Sequence, residues 1–240
     1  MTSKTVLITG ANKSIGYETA RQLGSQGYRV WLGSRDETRG RGAVERLVAE
    51  GHDVRLLVID VTSDQSVQAA AARVREENES LDVLINNAGI AGGRDAPSLQ
   101  SVEEIKTVYE TNVFSPIRVT QAFLPLLKAA GQASIVMVSS GLGSLGWLSD
   151  PANPFYPVNI LGYNSSKTAL NGVTVSFAKE LASEGIKVNA ADPGYTATDF
   201  NGHSGYRTVE QAAAGIVWLA TQGADGPTGG FFFEQTQVPW

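Results

Sequence analysis

The 240-residue sequence contains no cysteine and only two histidines, His52 and His203. The absence of cysteine excludes disulfide bonds, thiolate metal ligands and a cysteine nucleophile. With so few histidines, no metal site is predicted. No apolar run reaches about 18 residues, so no membrane-spanning helix is predicted. No apolar leader precedes the first strand-like run at 5–9, and we therefore expect a cytoplasmic protein.

Positive charge is also scarce, because 24 acidic residues outnumber 19 basic ones and give a net charge of −5. An acidic chain without a basic run is not expected to bind nucleic acid or an anionic membrane. Its 42% hydrophobic and 18% charged residues are typical of a globular protein. The length predicts one domain, residues 1–240, with enough chain to bury a sizeable core.

Short apolar runs alternate with stretches of helix-forming residues along the chain. Strands are predicted at 5–9, 29–33, 54–59, 83–85, 134–138, within 184–191 and at 230–233. Helices are predicted at 17–26, 39–50, 66–79, 103–127, around 163–177 and at 209–221. Pro116 and Pro125 are predicted to kink or divide the fourth helix. This alternation indicates the α/β class, with a Rossmann-like, doubly wound parallel sheet flanked by helices.

A glycine-containing turn, Gly10-Ala-Asn-Lys-Ser-Ile-Gly16, follows the first predicted strand. Strand, glycine turn and helix together aim backbone N–H groups and the positive end of a helix at a phosphate, which favours a dinucleotide site. An ordinary turn is the alternative, because the G-x-G-x-x-G spacing is absent and Ser14 occupies the middle glycine position. The Ser14 Cβ would narrow the approach of a pyrophosphate, whereas its hydroxyl would donate a hydrogen bond.

Basic residues near the second predicted strand favour NADPH over NADH. Ser34 and Arg35 lie where a dinucleotide fold holds the ribose 2′-hydroxyl with an acidic residue or the 2′-phosphate with a basic one. Arg35, together with Lys13 in the glycine turn, therefore predicts NADP(H). Asp36 is the residue that would overturn this prediction, and a solvated loop charge is the alternative interpretation of Arg35.

Tyr163 and Lys167 are four residues apart in a segment without proline, so they are predicted to share one face of a helix. A cation about 4 Å from the phenol, at an effective dielectric of ~20, would lower the tyrosine's pKa by about three pH units. Tyr163 would then exchange a proton near neutral pH. The alternative is that Tyr163 and Lys167 are an ordinary pair of exposed side chains. Only further residues that match the same site can exclude this alternative.

Further residues complete a recognisable order. They are Thr9-Gly10, Ile15-Gly16, Asp60-Val61, Asn86-Asn-Ala-Gly89, Asn112, Ser140, Tyr163-x-x-x-Lys167 and Pro193-Gly194. In this order and spacing, from residue 5 to about residue 200, the chain resembles the short-chain dehydrogenase/reductase family. The Asn-Lys of the turn, the Pro-Gly-Tyr-Thr-Ala-Thr segment and the Gly-Gly-Phe ending look most like its NADPH-dependent carbonyl reductases.

The resemblance implies an NADP(H)-dependent reductase of ketones or aldehydes, reversible as an alcohol dehydrogenase. It implies that Tyr163 gives a proton to the carbonyl oxygen and that Ser140 hydrogen-bonds this oxygen. Lys167 would lower the phenol's pKa and hold the nicotinamide ribose, while Asn112 would position a water in a proton relay. The residues expected to contact the cofactor are Gly10, Asn12, Lys13, Ser14, Ile15, Gly16, Ser34, Arg35, Asp60, Val61, Asn87, Ala88, Gly89, Tyr163, Lys167, Pro193, Gly194 and Thr196.

The substrate is the least determined part of the prediction. The insertion 147–162 carries Trp147 and Phe155 and is expected to form one wall of a pocket for an apolar ketone, with a covered surface loop as the alternative. The loop at about 195–206 is expected to close over a small carbonyl or alcohol substrate. A reductase of a sterol, sugar or imine and a non-catalytic NADP-binding regulatory protein are the alternative functions. A homo-oligomer, dimer or tetramer, is left open.

Overall fold

The computed structural model describes residues 3–240, in which all strands join one sheet. The strands are β1 (Thr5–Ile8), β2 (Arg29–Ser34), β3 (Val54–Val58), β4 (Val83–Asn86), β5 (Ala133–Val138), β6 (Ile186–Asp192), β7 (Phe231–Phe233) and β8 (Thr236–Gln237). Their order is β3-β2-β1-β4-β5-β6-β7-β8, with β1 to β7 parallel and β8 antiparallel to β7. The predicted doubly wound parallel sheet is confirmed.

Helices cover both faces of this sheet. They are α1 (Ser14–Ser25), α2 (Glu37–Ala49), α3 (Asp64–Glu77), α4 (Val102–Tyr109), α5 (Ser115–Ala129), α6 (Leu145–Leu148), α7 (Leu161–Leu181) and α8 (Val209–Ala220). Successive side chains of a strand point to opposite faces, so Leu7 of β1 packs with α3, α5 and α7, whereas Val6 and Ile8 pack with α1, α2 and α8. Strands β1 and β5 are buried on both faces, which explains their continuous apolar runs.

The predicted helix at 103–127 is divided, but not at Pro125. A π-helical turn, Glu110–Phe114, separates α4 from α5, and Pro116 lies in the first turn of α5. A proline is tolerated there because the first N–H groups of a helix have no carbonyl partner within it. The helix continues through Pro125, so a division at that residue was wrong. The π-helical turn was not predicted, and it contains Asn112.

The strand order places the carboxyl ends of β1, β4, β5 and β6 side by side at one edge. The order in which successive strands are added to the sheet reverses between β1 and β4, and open α/β sheets bind ligands at such a switch point. No helix within residues 3–240 is both long and apolar enough to cross a membrane. The loops that carry the candidate site residues all leave this edge.

Candidate active site

Tyr163, Ser140 and Lys167 converge beside the carboxyl end of β5. Tyr163 and Lys167 lie one turn apart in α7, and the Lys167 Nζ donates a hydrogen bond to the Val138 carbonyl oxygen at 2.8 Å. The Lys167 Nζ lies 5.7 Å from the centroid of the Tyr163 ring. The Ser140 hydroxyl lies close enough to the Tyr163 phenol to lower the phenol's pKa. The structure therefore brings together three residues that are far apart in the sequence.

The pKa predicted for Tyr163 was wrong in direction. The Tyr163 side chain is partly exposed at the cleft, yet protein atoms surround it densely, and this burial raises its pKa to about 12. The nearby Ser140 hydroxyl lowers the pKa, and the charge of Asp192 raises it further. Lys167 does not reverse this, because its ammonium lies beside the ring and bonds to Val138. Burial lowers the pKa of Lys167 itself to about 8. The phenol therefore stays protonated at neutral pH.

Asn112 is fully buried in the π-helical turn, as its apolar neighbours suggested. Its Oδ1 accepts a hydrogen bond from the Ile90 N–H at 2.9 Å, and its Nδ2 donates to the Ile90 carbonyl at 2.9 Å and to the Ser166 Oγ at 3.0 Å. Both amide hydrogens are thus used by the protein, and Asn112 fixes the segment that follows β4. Its role in a water relay stays a prediction. Nothing in the sequence pointed to Ser166 as its partner.

The corner after β4 is tied to the glycine turn. The Asn87 Nδ2 donates to the carbonyls of Thr9 and Gly10 at 2.9 and 3.1 Å, and the Thr9 hydroxyl accepts from the N–H groups of Asn87 and Ala88. A Cβ on Gly16 would lie 2.5 Å from the Asn87 Nδ2 and 2.8 Å from the Gly10 oxygen, so only glycine fits. The two predicted cofactor segments therefore form one surface.

This surface reaches Asn112 and Lys167 at Gly89. A Cβ placed on Gly89 would lie 3.3 Å from the Asn112 Oδ1 and 3.6 Å from the Lys167 Nζ. The backbone at Gly89 thus passes close to both functional groups. A nucleotide lying along the corner would extend from the glycine turn toward Lys167.

The start of α1 suits a phosphate. The helix begins at Ser14, and its N-cap residue, Lys13, makes no side-chain capping hydrogen bond. The first N–H groups of a helix and its positive end form an anion site when no side chain occupies them. Gly10 precedes this turn with a φ of 63°, a left-handed conformation that glycine adopts without strain.

Ser14 occupies the middle glycine position with a φ of 52°. A left-handed backbone costs a residue with a Cβ about 1–2 kcal/mol relative to glycine. We expect Ser14→Gly to raise the free energy of unfolding by about 1 kcal/mol, the remainder being lost to the greater freedom of glycine in the unfolded chain. Without its Cβ, the turn should also bind NADPH more tightly. Urea unfolding and fluorescence titration with NADPH measure the two effects.

Ser25→Gly is the matched control for this substitution. Ser25 ends the same helix, is exposed and has no left-handed backbone. Glycine there should lower the free energy of unfolding by about 0.5–1 kcal/mol. Equal destabilisation by both substitutions would show that the backbone at Ser14 is not strained.

Arg35 stands at the end of β2 with its side chain exposed. Its charge helps to lower the pKa of Asp60, although hydrogen bonds from Thr62 contribute most to that shift. Asp36 has another use, because its Oδ1 accepts from the Arg39 N–H at 2.9 Å and caps α2. The carboxylate that would have argued for a ribose hydroxyl is therefore engaged in a helix cap.

Lys13 does not extend toward Arg35. Its Nζ forms an ion pair with the Asp199 Oδ2 at 2.7 Å, and the His203 Nε2 lies 2.9 Å from the Asp199 Oδ1. Asp199 belongs to the loop at 195–206, and the neighbouring Phe200 ring lies 5.5 Å from the Tyr163 ring. This loop thus lies against the catalytic tyrosine and the glycine turn. An exposed lysine can exchange one anion for another, so its predicted phosphate contact stays a prediction.

The other predicted residues line the same edge, several with their polar groups used by the protein. The Thr196 Oγ1 donates to the carbonyls of Pro193 and Gly194 at 3.1 and 3.2 Å, and the Ser34 Oγ donates to the Asp36 carbonyl at 2.8 Å. The remaining predicted residues are all partly buried: Asn12, Asp60 and Val61 lie in the loops after β1 and β3, and Ile15 lies in the first turn of α1. Among residues 3–240, no three His, Asp or Glu side chains are grouped to hold a metal ion.

The comparisons with known proteins agree with this geometry. The family model described as short chain dehydrogenase matches residues 4–207. The chain is 39% identical to the short-chain dehydrogenase anuI of Penicillium roqueforti, covering 93% of this chain and 91% of that protein. It is 35% identical to the (+)-neomenthol dehydrogenase of Arabidopsis thaliana, covering 99% and 98%.

Solved structures give the same result. The structure of an NADPH-bound carbonyl reductase from chicken fatty liver superposes with a TM-score of 0.87 at 28% identity, covering all of both chains. The resemblance to carbonyl reductases is therefore confirmed, and the fold corresponds over the whole length. The chain belongs to the short-chain dehydrogenase family and is an oxidoreductase.

Proposed function

We propose that this protein is an NADPH-dependent reductase that converts ketones or aldehydes to alcohols, with Tyr163 as the proton donor. The observation that carries the proposal is the convergence of a protonated phenol, a serine hydroxyl near it and a buried ammonium at the edge where the glycine turn and the Gly89 corner meet. The ordinary exposed pair considered for Tyr163 and Lys167 does not describe this arrangement, because Lys167 is buried.

The residues of the edge fit a dinucleotide. The uncapped start of α1 suits the pyrophosphate, the Asn87 to Gly89 corner would support the nucleotide, and Lys167 would reach the nicotinamide ribose. When bound, NADPH would supply a hydride to the carbonyl carbon. The protein's own part is to orient the substrate and to supply a proton and a hydrogen bond to the developing alkoxide.

Each of the three side chains has its own role in the proposed reaction. With a pKa of about 12, Tyr163 holds its proton across neutral pH and can give it to the carbonyl oxygen. Ser140 would hydrogen-bond the same oxygen, since its hydroxyl lies near the phenol. Lys167, with a pKa of about 8, is mostly charged at neutral pH and would stabilise the phenolate that remains. These states favour the reductive direction at neutral pH.

Arg35 is the proposed determinant of NADPH over NADH. Its guanidinium is exposed at the end of β2, and Asp36 beside it is engaged in a helix cap. We expect Arg35→Ala to weaken NADPH binding about tenfold or more, because a charge-assisted hydrogen bond contributes roughly 1.5–3 kcal/mol, and to leave the affinity for NADH within about twofold. Fluorescence titration with both cofactors measures the ratio.

Arg41→Ala is the control for this substitution, because Arg41 is exposed on α2 and pairs with Glu37. It should leave both affinities within about twofold. If Arg35→Ala changes the ratio of the two affinities no more than Arg41→Ala does, the argument for NADPH fails.

A substrate panel tests the proposed reaction. The protein is mixed with NADPH and a series of aldehydes, aryl ketones and cyclic ketones, and the loss of reduced cofactor is followed by absorbance. (+)-Neomenthol with NADP⁺ is included because a relative bears its name. We expect consumption of NADPH with at least one carbonyl compound. Tight NADPH binding without consumption by any of them would favour a non-catalytic NADP-binding protein instead.

The class of carbonyl compound follows from the insertion at 147–162. Its Trp147 and Phe155 rings pack at 5.4 Å between centroids, next to the turn that carries Ser140. We infer that they form one wall of the substrate pocket and that the loop at 195–206, through Phe200, forms the other. A ketone with an apolar body suits these walls.

Homo-oligomerisation and the expected cytoplasmic location stay predictions.

A further inference from the structure

Asp192 is a buried acid for which the reaction proposed above has no use. It ends β6, directly before Pro193, and 6% of it is exposed. Its Oδ1 accepts a hydrogen bond from the Gly194 N–H at 2.9 Å. Its Oδ2 is buried and has no hydrogen-bond partner within residues 3–240. Buried carboxylate oxygens without a partner are costly and uncommon in folded proteins, so this oxygen requires an explanation.

The unpaired oxygen faces the catalytic turn. The Oδ2 lies 3.0 Å from the point where a Cβ on Gly141 would stand, and Gly141 follows Ser140 in the chain. Ring atoms of Phe155 and Trp147 lie 2.6 and 3.0 Å from the same point. The charge of Asp192 also reaches Tyr163 and raises the pKa of its phenol. The carboxyl group therefore stands between the catalytic hydroxyls and the aromatic wall of the pocket.

No cation of the protein neutralises this oxygen by direct contact. Arg207 is near enough to lower the pKa of Asp192, but its Nη1 bonds to the Glu234 Oε1 at 2.8 Å and its Nη2 to the Gln211 carbonyl at 3.1 Å. Burial is the dominant influence and raises the pKa of Asp192, although the Gly194 and Gly141 amides oppose it. The Gly141 amide lies near the carboxyl group but forms no hydrogen bond with the Oδ2, which thus remains buried and unpaired.

We propose that Asp192 forms a subsite that accepts a hydrogen bond from the substrate, so that the preferred carbonyl compounds carry a hydroxyl or ammonium group close to the reacting carbonyl. This inference rests on the proposed function, because the Tyr163 and Ser140 hydroxyls fix the reacting oxygen next to Asp192. The rest of such a substrate would lie against Trp147 and Phe155. A site built to pair with a donor discriminates strongly against an analogue that lacks it, because its own polar group is then left unpaired.

Three ketones that differ in one substituent near the carbonyl, a methyl, a hydroxyl or an ammonium group, test the subsite. With wild-type protein and NADPH, kcat/KM should be at least about tenfold higher for the better donor-bearing ketone than for the methyl compound. Asp192→Leu removes the acceptor and should bring this ratio to about one. Asp192→Asn keeps an oxygen that accepts from the Gly194 amide but places an NH₂ group where the unpaired Oδ2 was. Of the two kcat/KM ratios, hydroxyl to methyl and ammonium to methyl, this variant should lower the second more.

Binding provides a second readout that needs no turnover. Calorimetric titration of the three ketones into protein loaded with NADP⁺, which has no hydride to give, should show the same order of affinities and the same loss in the two variants. Asp225→Asn, an exposed acid in the loop between α8 and β7, is the control and should keep the wild-type ratios. Retained ratios in both Asp192 variants, or a wild-type protein that prefers the methyl ketone in binding, would overturn the subsite.

The two proposals fail differently in this experiment. If the wild-type protein binds the donor-bearing ketones preferentially but reduces none of them, the proposed function fails and the subsite stands. If it reduces all three ketones with equal kcat/KM, the subsite fails and the proposed function stands. If it binds none of the three, the subsite is overturned as well.

Discussion

Tyr163→Phe is expected to lower kcat for carbonyl reduction by about 10²–10⁴-fold, the usual contribution of a positioned general acid. The substitution removes the one proton that the buried phenol can deliver, and it keeps the ring that packs against Phe200. With a phenol pKa of about 12, reduction by the wild-type protein should show no loss from this group between roughly pH 6 and 9. Steady-state rates over that range, with the best ketone of the panel, measure both effects.

The control is Tyr206→Phe, since Tyr206 is 76% exposed on the same loop as Phe200. It should change kcat by less than about twofold. The affinity of Tyr163→Phe for NADPH should stay within about threefold of wild type, because the phenol is not placed to hold the phosphates. Turnover by Tyr163→Phe at more than about a tenth of the wild-type rate would remove Tyr163 as the acid.

Lys167→Met is expected to stabilise the fold at neutral pH and to lower activity. Lys167 is 4% exposed, and burial of its charge lowers its pKa from 10.5 to about 8. That difference corresponds to a penalty of about 3 kcal/mol, present in full when the pH is below about 8. The variant also loses the hydrogen bond to the Val138 carbonyl, which destabilises it by about 1 kcal/mol. Its net gain in the free energy of unfolding at pH 7 is therefore about 2 kcal/mol.

The sign of this effect reverses with pH. Between about pH 8 and 10.5 the unfolded chain binds more protons at Lys167 than the folded protein does, so the wild-type protein recovers stability as the pH rises. Above that range neither state is charged there, and the variant keeps only its loss of the hydrogen bond. Urea unfolding of both proteins at pH 7 and pH 10.5 should therefore show the variant more stable at the lower pH and less stable at the higher one.

Lys179→Met is the matched control, because Lys179 is exposed on the same helix. Its free energy of unfolding should stay within about 0.5 kcal/mol of wild type at both pH values. Activity should separate the two variants as well, since only Lys167 stands beside Tyr163 and Gly89. A Lys167→Met protein that is equally active, or less stable at pH 7, would contradict its place in the site.

Motifs in the sequence located most of the candidate site. The glycine turn, the corner at Asn87 to Gly89, Asn112, Ser140 and the Tyr163 to Lys167 pair all lie at one edge of the sheet, as their positions after predicted strands indicated. These predictions succeed because parallel strands end at a common edge, so that a residue's place in the chain fixes its place in the fold. Residues that act through distant partners gave no such signal, as Ser166 shows.

The electrostatic predictions were the ones that the sequence could not support. Spacing alone put an ammonium near the Tyr163 phenol, but it gave neither the bond of Lys167 to Val138 nor the burial that outweighs the attraction. Lys13 likewise carries the expected positive charge, but its ammonium pairs with the carboxylate of Asp199, which is 186 residues away in the sequence. A pKa or an ion pair depends on every group within a few ångströms, and most of those groups come from elsewhere in the chain.

The sequence by itself determined the alternation of strands and helices and the sheet that follows from it, because hydrophobic periodicity and turn residues act locally. Only the tertiary structure decided how burial shifts the pKa values of the candidate site residues, that Ser14 adopts a left-handed backbone and that Asp192 keeps a buried oxygen unpaired. Those properties arise where separate segments pack together, and burial there sets both the cost of a charge and the need for a partner.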